Sequence, residues 1–267
     1  MTRRNFAIMV LSSGVLAPAF ANTDAGVASE SLPGASQTSG QIPLIEAALD
    51  RRLSALPGFV CHEKIMRYVQ KGAGNNLLGT LDRNVEIFKD VERYSEIRWN
   101  KKPVRDMDAV PGSWSVGEMT TVLKITQDAL RAGGVRTGQQ SLAGEGLTTA
   151  ISFAFPASAR RWFIRIDSTL RWMPFEGRAW ASGQSGEILR TSWHAGGLPE
   201  DSGLSDVLWT IDFKATEVSS EVMMLPDHAL YQVTYATGRN RIDRNLSRFS
   251  DYRRFGASST VHFPEEN

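Results

Sequence analysis

The chain has 267 residues, 42% of them apolar, with 30 lysines and arginines against 29 aspartates and glutamates. That length and composition supply a sizeable buried core, and a formal net charge of +1 excludes the overall basic field by which a protein attracts nucleic acid. A single cysteine, Cys61, excludes an internal disulfide.

The amino terminus reads as an export signal. Arg3 and Arg4 precede an apolar run from Phe6 to Leu16, and Ala19-Phe20-Ala21 sets small residues where a signal peptidase cuts. Thr2-Arg3-Arg4-Asn5-Phe6 is also similar to the twin-arginine motif, with Ala7 in place of the larger apolar residue preferred there. Segment 1–21 is therefore expected to be cleaved and the product to be periplasmic or extracellular. Loss of Arg3 and Arg4 leaves 28 basic residues (30 less 2) against 29 acidic. The run is shorter than the roughly 20 apolar residues that span a bilayer, so the expected membrane contact is peripheral. Residues 22–41, rich in Ser, Gly and Ala, predict a disordered leader, and residues 42–267 a single β-rich domain.

Pro43 opens a predicted helix over 43–56, in which Ile45, Leu49, Leu53 and Leu56 recur at helical spacing until Pro57-Gly58 stops it. From Phe59 the apolar period becomes two, which predicts strands over 59–69, 81–88 and 91–99, with a loop at 72–76 and a turn at Lys89-Asp90. Ser115 stands three residues before Glu118, the spacing of a capping box, and predicts a second helix over 115–131 with Met119, Val122, Leu123, Thr126 and Leu130 on one face. Gly133-Gly134 ends it. Short strands follow at 151–155 and 162–166. The stretch 176–255 then reads as five antiparallel strands, with a tight turn at Gly183-Gln184-Ser185-Gly186 and the clearest alternation over Val207 to Phe213. The predicted fold class is mainly β (α+β): a strongly curved antiparallel sheet or half-open β-barrel, with two helices against its concave face.

Motifs of chemistry are missing from this pattern. The chain has no nucleophile elbow, no phosphate-cradling loop and no dinucleotide fingerprint, so no cofactor and no catalytic residue are assigned. His62, His194, His228 and His262 lack the spacing of metal ligands. Cys61 and His62 are neighbours on a strand and so face opposite ways. A hydrolase site would have to assemble in three dimensions, from Cys61 with a histidine or from carboxylates such as Glu176, Glu187 and Asp212. Trp180, Trp193, Trp209 and Phe213 are the candidates for lining an apolar cavity, because an indole suits a ligand surface as well as a core edge. Arg239, Arg241, Arg244 and Arg248 open a run of six arginines that ends at Arg254, and their guanidinium forks suit an anion; pairing with Asp243 and Asp251 is the alternative.

Several stretches resemble a family of exported bacterial proteins of unknown function. They are Leu56-Pro57-Gly58-Phe59-Val60-Cys61, Gly112-Ser113-Trp114-Ser115-Val116-Gly117-Glu118, Glu176-Gly177-Arg178-Ala179-Trp180, Gly186-Glu187-Ile188-Leu189-Arg190, Leu225-Pro226 and Phe249-Ser250-Asp251-Tyr252-Arg253-Arg254-Phe255. The resemblance spans residues 45–263 and implies no catalytic residues. The order of elements is also similar to the half-open barrels of lipoprotein-localisation factors, which implies an apolar cavity beneath the helices and an acyl-chain ligand. The leading expectation is a non-enzymatic cell-envelope protein that holds a lipid or other apolar small molecule. An exported hydrolase is the second. A module that binds an envelope protein partner through sheet edges or the arginine strand is the third.

Overall fold

A computed structural model describes residues 6–9, 39–72, 74–88, 91–111, 113–142, 144–166, 169–198, 200–236 and 241–254. In chain order the elements are β1 (Phe6–Met9), α1 (Ile42–Ala55), β2 (Phe59–Lys71), β3 (Gly74–Phe88), β4 (Val91–Trp99), β5 (Lys102–Pro103), β6 (Ser113–Trp114) and α2 (Thr121–Arg131). They continue with β7 (Arg136–Leu142), β8 (Gly146–Phe155), β9 (Phe163–Ile166), β10 (Thr169–Trp172), β11 (Phe175–Ser182), β12 (Ile188–Gly196), β13 (Leu204–Val218), β14 (Glu221–Tyr235) and β15 (Ile242–Arg254).

Eleven strands form one antiparallel sheet in the order β5-β4-β3-β2-β15-β14-β13-β12-β11-β8-β7. It has two edges, so it is an open sheet and not a closed barrel. The five-strand run of the carboxyl-terminal half is its centre, and β15 pairs with β2 along most of both strands to join the two halves of the chain. Four strands, β10-β9-β1-β6, are hydrogen-bonded into a second, smaller sheet. Its strand β1 falls within the segment that reads as an export signal.

Period-two burial along β3, β11, β13 and β15 gives the large sheet one buried face. Two covers lie on that face. The helices cover one part: Ile45 and Leu49 of α1 and Val122, Leu123, Ile125, Ala129 and Leu130 of α2 join the inward residues of β11 to β14 in the main core. Residues 104–111 and 113–116 cover the other, where Met107, Val110, Trp114 and Val116 pack on Ile65, Leu81 and Ile97.

The differences from the sequence reading have local causes. In the glycine- and asparagine-rich stretch 72–76, Gly74 to Asn76 are already strand, because β3 pairs with β2 from Gly74. The strand β7 lacks the apolar alternation that marks a strand in the sequence; it is an edge strand, paired through its backbone with β8. The second helix starts at Thr121 and not at Ser115. Ser115 Oγ donates to the Glu118 carboxylate at 2.5 Å, side chain to side chain, so the two residues do not form the reciprocal backbone cap. The Glu92 carboxylate of β4 serves instead, accepting from the amides of Gly117, Met119 and Thr120 and from the Thr120 hydroxyl at 2.8–3.1 Å.

Candidate functional site

The predicted aromatic lining divides between the two faces of the sheet. Trp193 and Trp209 face each other across β12 and β13 and are fully buried, with ring centroids 5.6 Å apart. Trp162 stands 5.8 Å from Trp193 and 6.4 Å from Trp209, and Phe175 stacks on Trp193 at 4.9 Å. The rings therefore fill the space beneath the helices where a cavity was expected. Their indole N–H groups have no acceptor, so ring packing holds them. Room for them comes from β11, whose inward residues are Gly177, Ala179 and Ala181; a Cβ on Gly177 would lie 2.1 Å from the Phe153 ring. Trp180 is one residue out of that register. It lies on the opposite face, and its N–H donates to Gln140 at 2.9 Å. Phe213 is buried too, and the guanidinium of Arg52 lies 4.1 Å over its ring.

A buried polar row separates the two covers. Arg83 is 0% exposed, and its Nε donates to Glu63 at 2.6 Å. Its Nη2 donates to the Ser115 carbonyl at 3.0 Å and lies 3.8 Å from Glu118, and its plane sits 4.0 Å over the Tyr94 ring. Burial opposes the charge of Arg83, yet Glu63, Tyr94 and Glu118 outweigh burial and hold the guanidinium above its usual range. Glu118 has burial and Glu63 against its charge, and together they push its carboxyl from the ordinary 4.5 up to about 8 despite Arg83. Next in the row, Arg67 donates to Asn245 at 3.1 Å and to the carbonyls of Pro111 and Ser113. Strands β2, β3 and β4 thus each send one charged side chain into segment 111–120 and fasten it to the sheet. Two carboxylates do converge here, but Glu63 and Glu118 are 0% and 1% exposed and open on no cleft.

A different arrangement occurs where α1 meets the β13–β14 hairpin. There an open groove of about 490 Å³ is lined by Arg51, Arg52 and Ala55 of α1, by Glu187, and by Glu221, Val222, Met223 and Met224. Its volume falls within the roughly 300–1,000 Å³ of small-molecule sites. Gly186 sets one wall. With φ +73° it takes the left-handed turn, and a Cβ there would lie 2.5 Å from the Leu44 carbonyl, so only glycine lets the β11–β12 turn rest on α1. That contact brings Glu187 to Arg51 at 2.9 Å and the Ile188 carbonyl to Arg52 Nη1 at 3.2 Å. Ser219 and Ser220, both at positive φ, make the tight turn of the opposite wall. Just beyond it Val222 is 70% exposed, while Met223 and Met224 are half-buried against the main core.

Arg52 is the unusual member. It is 4% exposed, and its Nε and Nη2 have no hydrogen-bond partner. Each unpaired buried N–H costs about 1–3 kcal/mol. Burial lowers its pKa to about 10, with Glu187 and then Tyr252 acting in the opposite sense, so it stays charged at neutral pH. The sequence carries a signal of this: Arg52 occupies the inward stripe of α1 with Ile45, Ala48 and Leu49, a position where helical spacing calls for an apolar residue.

The remaining predicted residues do not converge. Arg241 is engaged by Asp243 in a two-pronged ion pair at 2.7 and 2.8 Å, Arg244 donates to Gln232 at 2.7 Å, and Arg248 is exposed between His228 and Lys64 of the neighbouring strands. Arg239 and His262 lie outside the described residues. His62 faces Asp82, His194 pairs with Asp206, and His228 pairs with Asp227. Asp212 pairs with Arg190, and Glu176 stands opposite His194 on the exposed side of the sheet. Cys61 is buried beside the Tyr252 hydroxyl, and burial pushes its thiol well up. Among the described residues no three His, Cys, Asp or Glu side chains are grouped to hold a metal ion, and no helix is long and apolar enough to cross a membrane.

No family model matches the chain, and no curated protein does. Among solved structures the chain is similar to a DUF1329 family protein from Desulfovibrio piger, whose crystal structure was determined at 1.75 Å. The alignment covers 83% of this chain and 95% of that one, with 9% identity and a TM-score of 0.39. No residue of the groove is assigned from that likeness.

Proposed function

We propose that this chain is an exported, non-enzymatic cell-envelope protein that binds a lipid or other apolar ligand, and that the ligand lies in the groove between α1 and the β13–β14 hairpin. The observation that carries this reading is the run Val222-Met223-Met224, which with Ala55 gives the groove an apolar wall open to solvent. Exposed Val222 is continuous with Met223, Met224 and Ala55 along the groove, and a contiguous apolar surface beside a groove supports a contact with an apolar ligand. Methionine is unbranched and polarisable and adapts to chains of different shape. The tryptophan core beneath the helices is filled by its own rings, which supports the groove over that interior space.

The test is an organic extract of the purified protein, analysed by mass spectrometry, together with titration of a neutral alkyl probe, dodecan-1-ol. The expected result is a single-chain amphiphile in the extract and saturable binding of the alcohol. Val222→Asp, at an exposed site that the fold does not depend on, should weaken that binding at least tenfold. A clean extract combined with no binding of the alcohol would sink the reading.

A further inference from the structure

The edge of Arg52 that has no partner tells what kind of head group the groove takes; this inference rests on the groove being a ligand site. Nη1 is occupied by the Ile188 carbonyl, whereas Nε and Nη2 are both free. Those two nitrogens lie on one edge of the guanidinium, and their N–H bonds run parallel, which is the fork that a carboxylate or phosphate fits with two oxygens. Phe213, packed on the flat face of the guanidinium, fixes its plane. The charges around the groove agree with this. Arg51 is paired with Glu187, and Glu221 is paired with Arg254 from β15, so among the described residues that line the groove the positive charge of Arg52 is left without its own carboxylate. We propose that the groove binds a single-chain amphiphile with one anionic head group, held by the Nε and Nη2 edge of Arg52 while the alkyl chain runs along Ala55, Val222, Met223 and Met224. The edge lies below the groove surface, and the head group reaches it by displacing flexible lining side chains, a movement that Met223 and Met224 make at little cost.

The experiment compares three probes of equal chain length, dodecanoate, dodecyl phosphate and dodecan-1-ol, by titration calorimetry below their aggregation limits, on the natural protein, Arg52→Met and Arg52→Lys. Both anions should bind the natural protein at least tenfold more tightly than the alcohol. Arg52→Met should remove that advantage, so that on this variant both anions bind no more tightly than the alcohol does. Arg52→Lys keeps the charge without the fork and should retain only part of it. If only one anion gains the advantage, the head group is thereby named as carboxylate or phosphate, in support of the proposal. Equal binding of all three probes to the natural protein would overturn the anionic head group and leave the groove reading standing. A preference that survives both substitutions would place the head group away from Arg52 and overturn the proposal as well. Should Arg52→Met fail to fold, the Arg52→Lys arm alone decides it. Binding of none of the probes overturns the groove itself.

Discussion

Arg83 and Arg52 are both buried against the inner face of the sheet, and they are held in opposite ways. Arg83 has a carboxylate, a backbone carbonyl and an aromatic face around it, with a second carboxylate at 3.8 Å. Arg52 has one carbonyl, one aromatic face and two N–H groups without acceptors. A buried charge whose bonding capacity is used holds chain segments together, whereas spare capacity beside a groove is what the proposed head group would use. The polar row of Arg67, Arg83 and Glu92 is thus read as the clasp for segment 111–120, and Arg52 as the recognition residue.

The sharpest way to break that contrast is Arg83→Met. It strands the Glu63 carboxylate in the core without its cation, and denaturant unfolding should show a loss of about 3–5 kcal/mol. A loss below about 1 kcal/mol would mean that the row is not a clasp. Next in size is the pH dependence of Glu118. Its folded pKa of about 8 lies above the ordinary 4.5, so the native state retains a proton that the unfolded chain releases. Stability should therefore be greatest below pH 4.5 so far as this group is concerned, fall as pH rises from 4.5 to 8, and be level above that. Glu118→Gln, followed by thermal melts across that range, should flatten the slope; an unchanged slope would assign it to another group. Glu92→Gln keeps an acceptor at the entrance to α2 and removes the charge that faces its amides, for an expected cost of about 1 kcal/mol. The smallest effect should come from Arg52→Met without ligand, within about 1 kcal/mol of the natural protein in either direction, because the methionine stem keeps the packing and the unsatisfied N–H groups disappear. Were Arg52→Met as damaging as Arg83→Met, Arg52 would belong to the fold and not to a site.

Much of the architecture was legible because it rests on periodicity. Alternation over Val207 to Phe213 is the signature of a sheet with one buried face, and that strand lies inside the large sheet as expected. Local chemistry was legible where the chain satisfies itself, as at Pro57-Gly58 after α1. It failed where a distant strand supplied the partner: Ser115 and Glu118 have the spacing of a cap, but Glu92, 23 residues before Ser115 in the sequence, accepts the amides, and Glu118 turns inward to Arg83. The aromatic candidates failed for a related reason. Spacing assigned Trp193 and Trp209 to one face, but whether that face holds a cavity or a packed core depended on Trp162, which enters from outside the run, and on the small residues of β11 opposite.

What the sequence by itself determined is a β-rich fold with two helices and no local catalytic motif, because strand and helix periods are written in neighbouring residues. What only the tertiary structure decided is which charges are answered. Arg52 and Arg83 are both arginines set in apolar patterns, and nothing in their neighbours along the chain separates them. The difference arises from strands and turns brought next to them by folding: Glu63 and Ser115 for one, a single carbonyl and an open groove for the other. Hydrogen bonds are satisfied across space, over reaches that no sequence period encodes.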